Sequence, residues 1–383
     1  MNNTGEQVNY VQGYVDTVNG NKLVSFDDSN TTGAISNTKI TGTVSWTKVE
    51  EGDKGYTPLA GSEWKLAKLG AGGLTEAQSW TVSDQSTPSE TTWADTDAKD
   101  GKFTLADLLP GTYTLTETQA PFGYELNKNT YKFTVDSTSG SITWIENERP
   151  NIVDGITYIS DSCSVTSVKI PVIKSVRNTD WPKDSSGKYV AFDFSIEATG
   201  PNKDSAPMPD SKTISVAPAD STKVNDIEAS FGEISFSKEY LATNDASNPT
   251  GAKTYTYTVK EVAPDADAID KLRYSEAEYQ VAVTVKAVMD ETTGKYSGLT
   301  TSTTVTQVKD DMGNTVSNTI GKDAAPDAIP ASTFTNTYST SLPLSGMSGV
   351  TLTYLAGAAV LCAAAVWMHI RRKANAKGGK RRE

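Results

Sequence analysis

Along most of this chain apolar residues recur at every second position in short runs, and the runs are broken by Gly, Asn, Asp and Pro. Alternation of that kind predicts half-buried β-strands, and many such strands with turn residues between them predict an all-β sandwich architecture. Side chains two apart in a strand share a face. That rule aligns Val44, Trp46 and Lys48, then Tyr113, Leu115 and Glu117. Further on it aligns Ile170, Val172, Lys174 and Val176, then Tyr255, Tyr257, Val259 and Glu261, and finally Phe334, Asn336 and Tyr338. Lysine, glutamate and asparagine thus fall in line with the aromatic and aliphatic residues expected to form the core. Charged side chains are rarely buried without a partner, because an unpaired buried charge is very costly.

The pattern changes near the C-terminus. An apolar run from Val350 to Ile370 is followed at once by Arg371-Arg372-Lys373. Its length is close to the roughly 20 residues a helix needs to cross a bilayer, so it predicts one C-terminal transmembrane helix. The basic cluster places the tail on the cytoplasmic side and everything before the helix outside. Upstream, a short polar stretch around Asp154–Ser164 separates two strand-rich blocks. The expected organisation is a remnant of a preceding domain at 1–40, a β-sandwich at 41–150 and a linker at 151–164. A second β-sandwich at 165–340 and an anchoring segment at 341–383 complete it.

Composition narrows the function. The chain has 383 residues and a net charge of −12, although its tail is basic, so the part outside is more acidic than the whole. That argues against nucleic acid as a partner and suits a soluble surface protein. The two cysteines are Cys163 and Cys362, and the second lies in the apolar run, so no disulfide is available to the outer part. The single histidine is His369, at the edge of the same run. Ser-His and Cys-His catalysis and histidine metal sites are therefore removed from the outer part. The expectation is a non-enzymatic protein with no cofactor and no metal. Asp95-Thr96-Asp97-Ala98-Lys99-Asp100-Gly101 looks superficially like a calcium loop, but position twelve is Ala106 and strands flank it, so a turn is expected.

Three resemblances sharpen this reading. Ser341-Leu342-Pro343-Leu344-Ser345-Gly346, the apolar run and the basic tail together resemble a cell-wall sorting signal of Gram-positive bacteria. The resemblance implies sortase recognition of Leu342, Pro343, Leu344, Ser345 and Gly346, with Ser345 where the family usually has Thr. It implies cleavage between Ser345 and Gly346 and attachment to a peptidoglycan precursor. The implied location is the cell wall, exposed to the outside. Such a chain is exported, yet Met1-Asn2-Asn3-Thr4 opens no basic or apolar leader, so the chain is expected to be a C-terminal fragment or to have a misassigned start.

The first block resembles the SpaA-like, or collagen-adhesin B-type, domain. The carriers are Thr43-Val44-Ser45-Trp46-Thr47-Lys48-Val49, Pro58-Leu59-Ala60-Gly61-Ser62-Glu63-Trp64, and the long string from Leu108 through Thr116-Glu117-Thr118-Gln119-Ala120-Pro121 to Tyr124. The second block resembles the streptococcal-type pilin isopeptide linkage domain. Its carriers are Ile170-Pro171-Val172-Ile173-Lys174, Phe192-Asp193-Phe194, Phe231-Gly232-Glu233-Ile234-Ser235-Phe236, Tyr255-Thr256-Tyr257-Thr258-Val259-Lys260-Glu261 and Phe334-Thr335-Asn336-Thr337-Tyr338. Ile35-Ser36-Asn37-Thr38-Lys39 resembles the closing strand of another B-type domain. The fold implied is a tandem of Ig-like or prealbumin-like sandwiches.

Both families imply an intramolecular isopeptide bond between lysine and asparagine, assisted by an acid. The resemblance assigns Lys48, Glu117 and Asn147 to the first block, with Asn151 as the alternative to Asn147. It assigns Lys174, Glu261 and Asn336 to the second, with Lys169 as the alternative to Lys174. Burial lowers a lysine pKa and raises a glutamate pKa. A neutral amine can then attack a carboxamide that the protonated acid polarises, and packing has already brought the reactants together. The family reading is an adhesin stalk or minor pilin, with other pilin subunits as partners and an unassigned host or matrix ligand. A polymerising backbone pilin and the stalk of a surface enzyme are the alternatives.

Overall fold

The computed structural model describes residues 39–338 apart from 71, 243–249 and 265–268. It also describes a backbone ribbon of β1 (Thr17–Val18) and β2 (Asn21–Lys22). The rest of residues 1–38, the Leu342–Gly346 motif and the apolar run lie outside the described residues. Among the described residues no helix is long and apolar enough to cross a membrane. The described chain is all-β and divides into two units, with the break between Cys163 and Ser164.

The first unit runs β3 (Gly42–Glu50), β4 (Glu63–Leu69), β5 (Glu76–Ser83), β6 (Lys102–Leu108), β7 (Gly111–Gln119), β8 (Thr130–Val135), β9 (Ile142–Trp144), β10 (Asn151–Val153) and β11 (Ile156–Asp161). One sheet has the order β10-β11-β3-β6 and the other β5-β4-β7-β8-β9. The alternating positions meet between them. Trp46 stacks on Phe103 at 4.8 Å and meets Trp64 edge-on at 5.4 Å, and Leu66, Leu105, Leu115 and Phe133 are fully buried around them. Each such side chain contributes about 1.5–3 kcal/mol by leaving water. The β8–β9 turn is tight against the start of β3. Gly140 has φ +72°, and a Cβ there would lie 2.3 Å from the carbonyl oxygen of Thr41. Only glycine tolerates that backbone at that approach.

The stretch 151–164, expected as a linker, is instead largely part of this sheet. β11 pairs in parallel with β3, with Ile159 opposite Lys48 and Asp161 opposite Glu50. Its inward residues are Thr157, Ile159 and Asp161, while Ile156 and Ser160 face outward. The polar character that suggests a linker comes from an edge hairpin, β10–β11, with Asp154 and Gly155 at positive φ in its turn.

The second unit contains β12 (Thr166–Val168), β13 (Pro171–Arg177), β14 (Phe192–Thr199), β15 (Thr213–Val216), β16 (Ile227–Ser230), β17 (Ile234–Phe236) and β18 (Lys253–Val262). It continues with β19 (Leu272–Arg273), β20 (Glu278–Met289), β21 (Tyr296–Lys309), β22 (Thr315–Ala324) and β23 (Ser332–Tyr338). A six-stranded sheet β15-β14-β18-β20-β21-β22 accompanies the sheet β16-β13-β23-β19 and the short pair β12-β17. Phe194, Tyr255, Tyr257, Val259, Val281, Val283 and Phe334 form its buried centre. As in the first unit, an early strand and the last strand are parallel neighbours, here β13 and β23.

Candidate functional site

In each unit the core face of a strand carries a lysine that strand parity sends inward. Lys48 and Lys174 are both fully buried. Lys174 Nζ lies 2.7 Å from Glu261 Oε2, and the Phe192 ring covers it with its centroid 4.7 Å away. Glu261 Oε1 accepts a hydrogen bond from Asn336 Nδ2 at 2.7 Å. The backbone N–H of Ser275 donates to Asn336 Oδ1 at 2.7 Å. β13, β18 and β23 thus bring Lys174, Glu261 and Asn336 together. Lys169 faces solvent and pairs with Glu233 at 3.3 Å.

Burial is the main force on these protons. It lowers the Lys174 ammonium to about 8 against the pull of Glu261. It raises the Glu261 carboxyl against the pull of Lys174. The pair is pushed toward a neutral amine beside a neutral acid, which is the combination that amide exchange requires.

In the first unit Lys48 Nζ lies 2.9 Å from Glu117 Oε1 and makes a closer contact with Asp161 Oδ1. The Trp64 ring covers the ammonium at 5.1 Å. The backbone N–H of Asn127 donates to Glu117 Oε2 at 2.9 Å, and Asn127 Nδ2 donates to the Ser160 carbonyl at 2.9 Å, tying the acid to β11. All three charged side chains are shut off from solvent. Two carboxyls and one ammonium would leave a net buried negative charge, so one proton must be held. Burial, opposed by Lys48 and reinforced by Asp161, raises Glu117 to about 7. Burial raises Asp161 as well.

The structure does not bring Asn147 to Lys48. Asn147 is exposed in a turn at φ +71°, after the short strand β9, on the other sheet from β3. Asn151, the alternative, opens β10 and is also exposed. The place next to the lysine is held by Asp161, and the register makes the correspondence strict. Lys174 is opposite Phe334, and Asn336 follows two residues later. Lys48 is opposite Ile159, and Asp161 follows two residues later. The glutamates also correspond, each reaching in from the opposing sheet. Asp161 escapes a sequence reading that looks for asparagine and closes the first domain at Pro150. The signal that finds it is the alternation Thr157, Ile159, Asp161.

Asp95, in the calcium-like string, spends both carboxylate oxygens on backbone N–H groups. Oδ1 accepts from Thr104 at 2.8 Å and Asp97 at 3.1 Å, and Oδ2 accepts from Gln85 at 3.0 Å. Among the described residues no group of three or more His, Cys, Asp or Glu side chains is placed to hold a metal ion.

Comparison with known proteins places both units. Residues 42–148 match the family model SpaA, a prealbumin-like fold domain. Residues 170–339 match the family model FctA, a Spy0128-like isopeptide containing domain. The chain therefore carries a SpaA prealbumin-like domain followed by an FctA isopeptide domain. No curated protein matches the chain. Among solved structures it is similar to a C-terminal fragment of the pilus adhesin SpaC from Lactobacillus rhamnosus GG, at 17% identity and TM-score 0.27, covering 78% of this chain and 98% of that one. It is also similar to the full-length major pilin SpaD from Corynebacterium diphtheriae, at 13% identity and TM-score 0.23, covering 79% of this chain and 99% of that one. A Streptococcal ancillary pilin matches at 12% identity and TM-score 0.24, covering 83% of this chain and 69% of that one. The assignment rests on the two domain models.

Proposed function

We propose that this chain is a load-bearing stalk of a bacterial surface protein, an adhesin or minor pilin, in which each domain closes itself with one lysine isopeptide bond. The observation that carries this reading is the same triad at the same register in two different domains: lysine, glutamate, and a carboxyl or carboxamide two residues past the lysine's partner. In the second domain the Lys174 amine attacks the Asn336 carboxamide carbon. The new C–N bond replaces the bond to Nδ2, which leaves as ammonia, with Glu261 passing the amine proton to it. In the first domain the Lys48 ammonium condenses with the Asp161 carboxylate. One C–O bond breaks, two ammonium protons go to that oxygen by way of Glu117, and water leaves. No cofactor enters either step.

The bond also removes an electrostatic fault. Asp161 and Glu117 are buried together beside one ammonium, and condensation converts a buried ion pair into a neutral amide. Leu342–Gly346, the apolar run and the basic tail support attachment by sortase to peptidoglycan, with the sandwiches outside and other pilin subunits as partners.

Intact mass of the full chain tests the chemistry. The wild type should fall short of its calculated mass by one ammonia and one water. Glu117→Ala should restore the water and Glu261→Ala the ammonia. A wild type at its full calculated mass would leave two ordinary sandwiches and end the proposal.

A further inference from the structure

The second cluster holds a group that the triad alone does not use. The carboxamide of Asn336 is gripped at both ends, its nitrogen by Glu261 Oε1 and its oxygen by the backbone N–H of Ser275, each at 2.7 Å. When an amine attacks that carbon, negative charge develops on Oδ1. A fixed donor at this distance stabilises such charge most effectively in a dry site, and Ser275 is buried. The same N–H also lies 3.3 Å from Glu261 Oε2, so it spans the acid and the electrophile.

Ser275 belongs to the short connection between β19 and β20, and a connection needs holding if its amide is to act as a fixed dipole. Asp311 does the holding. Its Oδ1 accepts from Ser275 Oγ at 2.5 Å and from the backbone N–H of Thr335, the residue before Asn336, at 2.8 Å. The backbone N–H of Glu276 donates to the Asp311 carbonyl at 3.2 Å, and the Ser275 hydroxyl oxygen accepts from Ala277 N at 3.1 Å. One carboxylate therefore ties the connection that supplies the donor to the strand that supplies the electrophile.

We infer that the Ser275 amide is an oxyanion donor for cross-linking of the second domain, and that Asp311 is the residue that positions it. This rests on the proposed Lys174–Asn336 bond. It assigns work to a serine and an aspartate outside the triad; in the first domain the corresponding amide, that of Asn127, donates to Glu117.

The test follows bond formation in time. Full chain held in denaturant before the bonds form is refolded, quenched at intervals and weighed. The loss of water in the first domain is the internal standard. Deleting an oxyanion donor costs about a hundredfold or more in rate, so loosening one should slow ammonia loss by about tenfold. That is the expectation for Asp311→Ala, with water loss at the wild-type rate. Asp311→Asn keeps an oxygen that can accept both hydrogen bonds and should return the rate to within about threefold of wild type, a rescue that a general loss of packing would not show. Ser275→Ala keeps the amide but frees it from Asp311, and should be slowed severalfold. It decides the matter if Asp311→Ala does not refold. Ammonia loss at the wild-type rate in Ser275→Ala and Asp311→Ala, or no rescue by asparagine, would overturn the inference. Failure of the wild type itself to lose ammonia would instead remove the cross-link on which it rests.

Discussion

A lysine ammonium sealed under an indole ring with two carboxyls for company is an unstable arrangement unless something follows from it. Breaking one partner of a buried ion pair costs about 3–5 kcal/mol, whereas replacing the pair by neutral groups is often harmless. Lys48, Glu117 and Asp161 fit a site whose end state is a neutral amide. The chemistry of Asp161 gives a sharp consequence. Asp161→Asn should still close the domain, losing ammonia in place of water, and its cross-linked product should have the same mass as cross-linked wild type. Asp161→Ala should leave the first domain open, and Asn147→Ala and Asn151→Ala should each close it normally. A wild type that loses two ammonias, one of them retained in Asn147→Ala, would return the bond to that exposed turn.

The same residues set a pH dependence when the bond is prevented. In Lys48→Met the amine is gone, and Glu117, already raised to about 7 chiefly by burial, loses the attraction that held it down. Asp161 is raised by the same cause and loses the same attraction. A folded pKa above the unfolded one means that the native state binds the extra proton. The stability this provides is fully present below the ordinary glutamate value of 4.5 and is lost as pH rises through about 7 and beyond. The stability of the first domain in Lys48→Met should therefore fall from pH 5 to pH 8 by an amount on the order of a few kcal/mol, read as a drop in its thermal midpoint by tryptophan fluorescence. A midpoint that rises with pH would contradict the assignment.

At the scale of strands, much of the architecture was open to reading because a two-residue period and a core-facing lysine are local properties. Val44-Trp46-Lys48 and Tyr255-Tyr257-Val259-Glu261 point inward as alternation requires, and all of them are buried. Parity also separated Lys174 from Lys169, which the structure leaves at the surface. Pairing is not local, and no residue period encodes it. Nothing in Ile156–Asp161 announces that it lies in parallel beside β3, more than a hundred residues earlier in the chain. Its outward Ile156 and Ser160 and its turn at Asp154-Gly155 make it look like a connection. The roles of Ser275 and Asp311 were hidden for the same reason, since a backbone amide has no sequence signature and its value depends on what folds against it.

At the scale of the whole molecule, both domains place the strand that bears the lysine beside the last strand, running in parallel. A chain pulled at its ends enters by the first of these strands and leaves by the last. A covalent bond between them carries the load across the domain, and in the first domain it shelters the segment between Lys48 and Asp161, 113 positions apart. Closing a loop of that length also stabilises by about 5 kcal/mol if the loop-entropy relation for disulfides is carried over. Such a bond would suit the proposed wall-tethered stalk, where shear and proteases act. The most direct test is tandem mass spectrometry of a proteolytic digest of the full chain. Two branched peptides are expected, one joining Lys48 to Asp161 with loss of water and one joining Lys174 to Asn336 with loss of ammonia. Recovery of all four residues in linear, unmodified peptides would contradict the account.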